Sequence, residues 1–179
     1  MRGFTLLEIL ITVAIFTILV LGVFQLMEAG NRFWLEGGAS AELRQDIIRA
    51  LMRMESELKE TRSISPAPQI NLAIGASSPA LTFNIPQVDS ATGTILNPIG
   101  AVNWSAPITY ALNANNQITR TDIGTGTVTI IANHVSGLVF ARLATDPSNI
   151  LRINITVGKT TLTRRQLQDT QQIRIKMRN

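Results

Sequence analysis

The apolar run over residues 4–24 constrains this chain most, because it is long enough to cross a bilayer as a helix. Fifteen of its 21 residues are Leu, Ile, Val or Phe, and its only charged residue is Glu8. These side chains together favour insertion by about 4 to 9 kcal/mol. A carboxylate at the centre of a span costs about 3 kcal/mol, and Glu8 lies only one turn from the end. We therefore predict a transmembrane helix over residues 4–24.

An acidic residue so near the start of a membrane helix requires an explanation. One explanation is an ordinary single-pass anchor whose Glu8 reaches towards the lipid head groups. A second is a secretory signal peptide, which has an apolar core of about 7–15 residues and a small-x-small cleavage site. The run here is longer, and the segment Met27-Glu28-Ala29-Gly30 that follows it is a poor cleavage site. The residues around Glu8 therefore decide between these explanations and a third.

The third explanation rests on the segment Gly3-Phe4-Thr5-Leu6-Leu7-Glu8-Ile9, which is preceded by the basic residue Arg2. Residues 2–15 resemble the cleavage and methylation segment of type IV pilins and type II secretion pseudopilins. In that family a membrane aspartic peptidase cuts after the glycine and methylates the new N-terminus. The resemblance implies a prepilin leader over residues 1–3, which is shorter than many in the family.

Three residues acquire roles from this resemblance. Gly3 precedes the cut, Phe4 becomes the N-methylated terminus, and Glu8 pairs with the N-terminus of a neighbouring subunit. The pairing is physically reasonable, because a buried amine and a buried carboxylate are each costly alone and offset much of that cost together. The implied partners are a prepilin peptidase and other pilin-like subunits. The implied location is the bacterial inner membrane, with a cytoplasmic N-terminus and a periplasmic C-terminal domain.

A second helical pattern follows the apolar run. Apolar residues recur at spacings of three and four and predict one buried stripe. The stripe comprises Leu43, Ile47, Leu51, Met54 and Leu58. The other face is charged, so we predict an amphipathic helix over residues 25–62 that packs on a sheet. Gly37 and Gly38 allow a break or kink in it, and the serines and prolines of residues 63–68 are expected to end it.

Residues 63–179 change to short β-type segments separated by turns. Turns are expected at residues 113–116, 146–149 and 158–159, and a loop at residues 87–105, with a strand start near Val102 and Trp104. Strands are predicted at residues 80–85, 108–112, 117–120, 127–131, 137–143, 150–157 and 172–177. The whole chain is thus predicted to be α+β. The resemblance implies a pilin-like fold, with one long N-terminal helix packed on antiparallel β-sheet and a β-rich periplasmic domain over residues 63–179.

A second resemblance, to J-type minor pseudopilins and W-type minor pilins, rests on four places in the β-rich part. Tyr110 lies in a Tyr-x-Leu strand, Arg120 lies in the strand after it, and residues 135–140 read Val-Ser-Gly-Leu-Val-Phe. The chain ends in the short basic segment of residues 173–179. This resemblance implies that the chain is a minor subunit of a filament.

The sequence does not favour an enzyme. It holds no cysteine and one histidine, His134, and no phosphate-binding or nucleophile-elbow motif. Asp89, Asp122, Asp146 and Asp169 are scattered, without calcium-loop spacing. Trp34 and Trp104 are interpreted as interfacial or core residues. We therefore predict no catalytic residue, no metal and no cofactor.

The β-rich part is basic, with nine Lys or Arg against four Asp or Glu in residues 63–179. A solvated edge strand and tail explain this charge, and an acidic partner would explain it too. Five of the basic residues lie in the last 16 positions: Arg164, Arg165, Arg174, Lys176 and Arg178. We make no prediction of nucleic-acid binding from them.

Three functional hypotheses follow. The first is a minor pilin-like structural subunit of an inner-membrane-assembled pseudopilus in type II protein secretion. The second is a minor pilin of a type IV pilus, acting in pilus assembly, adhesion or DNA uptake. The third is a membrane-anchored enzyme or sensor, which no visible site supports.

Overall fold

One long helix and eight strands make up residues 5–62, 69–90, 92–161 and 165–178, which the computed structural model describes. The elements in chain order are α1 (Leu6–Glu60), β1 (Ser77–Ser78), β2 (Ala80–Phe83), β3 (Ile108–Leu112), β4 (Ile118–Asp122), β5 (Thr127–Ala132), β6 (Val135–Ala141), β7 (Ile150–Thr160) and β8 (Gln166–Lys176). The strands form two antiparallel four-stranded sheets, ordered β1-β6-β7-β8 and β2-β3-β4-β5. The predicted α+β fold, with a long N-terminal helix on antiparallel sheet, is confirmed.

The helix α1 has 55 residues and is about 82 Å long at 1.5 Å per residue. It continues through Gly37 and Gly38, where a break or kink seemed allowed from sequence. Two glycines cost about 2 kcal/mol in a helix, and the helix on both sides of them offsets that cost because propagation is easier than nucleation. At its end, the Thr61 N–H donates to the Leu58 carbonyl. The expected stop signals at residues 63–68 lie outside the described residues.

The second half of α1 packs on the strands through one stripe. Ile47, Met54 and Leu58 are fully buried, Leu43 and Leu51 are nearly so, and Ala50 fills the space between them. This face contacts β5, β7 and β8. Burying a large apolar side chain stabilises a fold by about 1.5–3 kcal/mol. The stripe therefore attaches the sheets to the helix.

In the β2–β5 sheet, strands β2 and β3 bury alternate residues, as expected for a sheet with one face in the core. Its inner face presents buried Leu81, Phe83, Ile108, Tyr110 and Ile118 to the helix. The Phe83 and Tyr110 rings stack with their centroids 5.5 Å apart. The predicted hairpin between β3 and β4 is present, with Leu112 opposite Ile118. The predicted loop at residues 87–105 contains short bridges from Pro86 to Trp104 and from Leu96 to Val102.

The turn predicted at Gly158 and Lys159 is wrong. Strand β7 runs through both residues to Thr160, and Lys159 lies opposite Leu167 in β8. Glycine is typical of turns, but the residues before Gly158 alternate between buried and less buried positions as in the rest of β7. Beyond it, the Lys159 ammonium lies 2.9 Å from the Glu42 carboxylate on α1. Strand β8 is also much longer than the predicted strand at residues 172–177. Its first half is polar and has no apolar pattern, so it was not predicted; backbone pairing with β7 makes it a strand.

Candidate functional site

The first turn of α1 is closed by Thr5 and Glu8. The Thr5 N–H donates to Glu8 Oε2 at 3.1 Å, and the Thr5 hydroxyl donates to the same oxygen at 3.1 Å. In return the Glu8 N–H donates to Thr5 Oγ1 at 3.3 Å. The Thr12 hydroxyl then donates to the Glu8 carbonyl at 2.7 Å. This arrangement is a capping box, with Thr5 as the N-cap and Glu8 three residues later.

The capping box places the carboxylate where a membrane helix most needs an acceptor. A backbone N–H left unsatisfied in lipid costs several kcal/mol, and helix N-termini carry such groups. Sequence reasoning missed Thr5, although Thr5-Leu6-Leu7-Glu8 fits the Ser/Thr-x-x-Glu capping signature. The predicted cleavage residues Gly3 and Phe4 lie outside the described residues.

The first half of α1 has no partner within the described part of the chain. Its apolar segment has a mean hydropathy of 2.7, and none of it is buried against the rest of the protein. The exposure continues beyond the predicted span, where Phe33 and Trp34 are each 81% exposed. By length and composition this helix can cross a membrane.

A second cluster joins α1 to the β2–β5 sheet. Tyr110 on β3 donates its hydroxyl to Glu57 Oε2 at 2.9 Å. Arg120 on β4 donates its Nε–H to both Glu57 oxygens, at 3.0 and 3.1 Å. Arg53, one turn earlier on α1, lies 3.6 Å from the same carboxylate. The two β-strand residues singled out by resemblance, Tyr110 and Arg120, thus meet on one acidic residue of the helix, Glu57.

The cluster changes two pKa values. Burial, followed by the negative charge of Glu57, raises the pKa of the Tyr110 hydroxyl far above its ordinary value of 10.0. For Arg120, burial lowers the pKa, but the hydrogen bond and the charge of Glu57 outweigh it and the net shift is upward. Tyr110 is fully buried and the Arg120 side chain is only 14% exposed, so we interpret the cluster as a structural clamp that joins α1 to the sheet.

Replacing Tyr110 by phenylalanine tests this clamp. Loss of the hydroxyl should cost about 1 kcal/mol, while the ring still stacks on Phe83. Because the folded-state pKa is raised, Tyr110 stabilises the fold fully below the unfolded value of 10.0 and loses that effect as the pH rises above it. The stability of Tyr110→Phe should therefore fall less steeply than that of the parent as the pH rises above 10.0. Unfolding followed by circular dichroism at several pH values measures this.

The chain offers a direct control, since Tyr110 is its single tyrosine. The ultraviolet absorbance of tyrosinate reports this residue alone. In the native protein the signal should stay flat through the ordinary tyrosine range and rise together with unfolding. A normal titration in the folded state would contradict the clamp.

The other residues considered from sequence have structural surroundings. Trp104 lies 5.4 Å beneath the Arg62 guanidinium, and Asp146 forms a two-point ion pair with Arg152 at 2.6 and 2.8 Å. His134 is an exposed turn residue with a φ of 58°. Across residues 5–62, 69–90, 92–161 and 165–178, His, Asp and Glu side chains form no group of three or more that could hold a metal ion.

Comparison with known proteins gives one match. The family model for the prokaryotic N-terminal methylation motif matches residues 1–24. No curated protein and no solved structure matches the chain. The motif, the apolar helix that contains it and the packing of that helix on antiparallel sheet all agree with one another. Together they indicate a type IV pilin-like or pseudopilin-like protein with a single anchor in the inner membrane.

Proposed function

We propose that this protein is a minor pilin-like structural subunit of a pseudopilus assembled in the inner membrane, acting in type II protein secretion. The match of residues 1–24 to the methylation motif is the observation that carries the proposal. A prepilin peptidase cuts after Gly3 and methylates Phe4. The apolar half of α1 then stays in the membrane until it enters the filament.

Glu8 is the assembly residue in this proposal. Its two hydrogen bonds from Thr5 both end on Oε2, so neither of them uses Oε1, which can accept from a further donor. The α-amine of Phe4 on a neighbouring subunit is a donor of the right charge. The pair would set the axial register between adjacent helices, because each subunit holds one amine and one carboxylate at a fixed separation.

The assignment to the J-type subunits draws on the clamp between helix and sheet. Tyr110 and Arg120 carried that resemblance in the sequence, and both contact Glu57. Residues 135–140, the third element of the resemblance, lie in β6. The clamp would keep the β-rich domain fixed on α1 while the helix is drawn into a filament. This is a structural role, and it requires no catalytic residue.

Processing is the first test. Co-expression with a prepilin peptidase should yield a membrane protein that begins at Phe4 and carries one N-methyl group, as read by intact mass. A Gly3→Val variant should stay uncut, because a branched side chain replaces the glycine at the cut site. Gly22→Val is the matched control, since an added Cβ there meets nothing within 4 Å.

Recovery of the unmodified chain from Met1, or of a protein beginning beyond residue 24, would contradict the proposal. The type of system is tested by co-purification from native membranes. Recovery with secretion pseudopilins supports the secretion role. Recovery with twitching or uptake components would instead assign the chain to a type IV pilus.

A further inference from the structure

A cleft of about 430 Å³ lies beside the clamp, at the end of the β2–β5 sheet where β4 turns into β5. Two charged side chains line it, those of Arg120 and Asp122 near the end of β4. An apolar wall faces them, formed by Ile85, Pro86, Ala106 and Ile108. The volume lies within the range of about 300–1,000 Å³ that is usual for ligand sites. The cleft thus joins a charged pair to an apolar surface.

Arg120 lines this cleft with donors that the clamp does not use. Its Nε–H is taken by Glu57, whose carboxylate oxygens lie 3.0 and 3.1 Å away. A guanidinium carries five N–H donors, so four remain on Nη1 and Nη2. Neither of these atoms donates a hydrogen bond to a residue that the structure describes, and Nη1 lies 3.8 Å from Asp122 Oδ2. That separation is too long for a hydrogen bond, so the four donors are available to a molecule in the cleft.

Asp122 offers the matching acceptor. Its Oδ1 accepts from the N–H groups of Gly124, at 3.0 Å, and Thr125, at 3.2 Å, which fixes the turn between β4 and β5. Within the described part of the chain, Oδ2 accepts no hydrogen bond, and it lies beside Nη1 of Arg120. A Cβ on Gly124 would lie only 2.6 Å from the Ala106 Cβ, so the turn is held against the apolar wall. A donor and an acceptor are therefore fixed side by side in the cleft.

We propose that the cleft binds the side-chain amide of an asparagine or glutamine carried by a partner polypeptide. In a primary amide the C=O and one N–H leave on the same edge, so the oxygen accepts from Arg120 while the nitrogen donates to Asp122 Oδ2. A trans peptide group cannot make this pair of bonds, since its C=O and N–H point in opposite directions. The methylene groups of the side chain lie on the apolar wall, and the cleft has room for the flanking backbone.

The charges around the cleft select against ionised ligands. Arg53 and Arg120 balance Glu57 and Asp122, and ion pairs of 3.0–3.8 Å join the four side chains into one neutral group. A carboxylate in the cleft would bring one of its oxygens against Asp122 Oδ2, where both atoms are acceptors. An ammonium or guanidinium would offer Arg120 no acceptor. A neutral amide satisfies both partners.

An NMR titration of the processed full-length protein in detergent tests the proposal. The probes are three peptides, acetyl-Gly-Ala-Xaa-Ala-Gly N-methylamide, with Gln, Glu or Met in the central position. The N-methylamide end avoids a second primary amide. The N–H signals of Gly124 and Thr125 adjoin the cleft and should shift as the Gln peptide is added. The Glu and Met peptides should bind about tenfold or more weakly, because Glu lacks the amide donor and Met lacks both polar groups.

Asp122→Asn should reverse this preference. The amide oxygen of the new side chain accepts from Gly124 and Thr125, so the turn is kept, and an NH₂ group takes the place of Oδ2. The cleft then offers only donors, and the Glu peptide should bind about tenfold more tightly than the Gln peptide.

Asp169→Asn is the matched control. The Asp169 side chain is 26% exposed, against 28% for Asp122. Its Oδ1 also accepts from a backbone N–H, that of Thr170, and it lies in β8 rather than in the cleft. This variant should keep the parent's preference for the Gln peptide. Thermal melts verify that both variants remain folded, and the three peptides on the parent decide the matter if Asp122→Asn does not.

The proposal is overturned if no peptide binds the parent, if the three bind it alike, or if folded Asp122→Asn still prefers the Gln peptide. Free glutamine carries the same amide, and tighter binding of free glutamine than of the Gln peptide would overturn the assignment to a polypeptide. The site is independent of the proposed assembly residue, since Glu57 lies about 70 Å along α1 from Glu8. This test and the assembly test can therefore fail separately.

Discussion

A Glu8→Leu variant should still enter the membrane and still be cut after Gly3, yet it should be absent from the filament. Removing the charge makes insertion easier by up to about 3 kcal/mol, and the cut site is unchanged. Assembly should fail because the α-amine of the neighbouring Phe4 would then be buried without its counter-charge. The measurement is cross-linking or co-purification with other pilin-like subunits, together with intact mass to verify processing.

The structure requires a control for the local role of Glu8, since the carboxylate also closes the first turn of α1. Thr5→Val removes the N-cap side chain but keeps the acid. Loss of a cap costs about 1 kcal/mol, so this variant should assemble nearly as well as the parent. Glu28→Leu is a second control, because it makes the same substitution in the same helix beyond the apolar run.

Equal failure of Thr5→Val and Glu8→Leu would assign Glu8 a capping role alone. Full assembly of correctly processed Glu8→Leu would contradict the inter-subunit pair. That result would favour the interpretation of residues 4–24 as an ordinary anchor. The three variants together therefore separate insertion, capping and assembly, which all depend on one short segment.

The helical half of the fold could be predicted because its signal is local. The apolar run and the stripe from Leu43 to Leu58 recur at the helical period, and the structure buries that stripe against the strands. The division into two sheets could not be predicted, because β1 pairs with β6 past four intervening strands and β2 pairs with β3 across a long loop. Strand β8 was underestimated for a related reason. Its first half is polar, and only its partner β7 makes it a strand.

The candidate site shows the same contrast. Thr5 and Glu8 are three residues apart, so their capping box was readable from the sequence and was overlooked. Glu57, by contrast, meets Tyr110 from 53 positions away and Arg120 from 63. The family resemblance named two members of this cluster, but nothing local connected them to the helix. Only the packing of α1 on the β2–β5 sheet brings the three together.

Replacing Leu51 by aspartate should unfold the β-rich domain or destabilise it by about 3–5 kcal/mol. Leu51 is 9% exposed, in the middle of the stripe by which α1 packs on the strands. The substitution removes the burial energy of a leucine and puts a charge without a partner in the same place. Thermal unfolding of the full-length protein in detergent micelles, followed by circular dichroism, measures the effect.

The next residue provides the matched control, because Met52 lies about 100° around the helix from Leu51 and is 65% exposed. Met52→Asp makes the same chemical change one position along and should alter the free energy of unfolding by about 0.5 kcal/mol or less. The helical propensity of the segment changes similarly in both variants, so a difference between them reports packing on the sheets. Equal melting of the two would mean that the stripe does not hold the domain on α1. If Leu51→Asp unfolds and Met52→Asp does not, the β-rich domain depends on the buried stripe in the second half of α1. Such a variant should still be cut after Gly3, because the processed segment lies far from the domain that has unfolded.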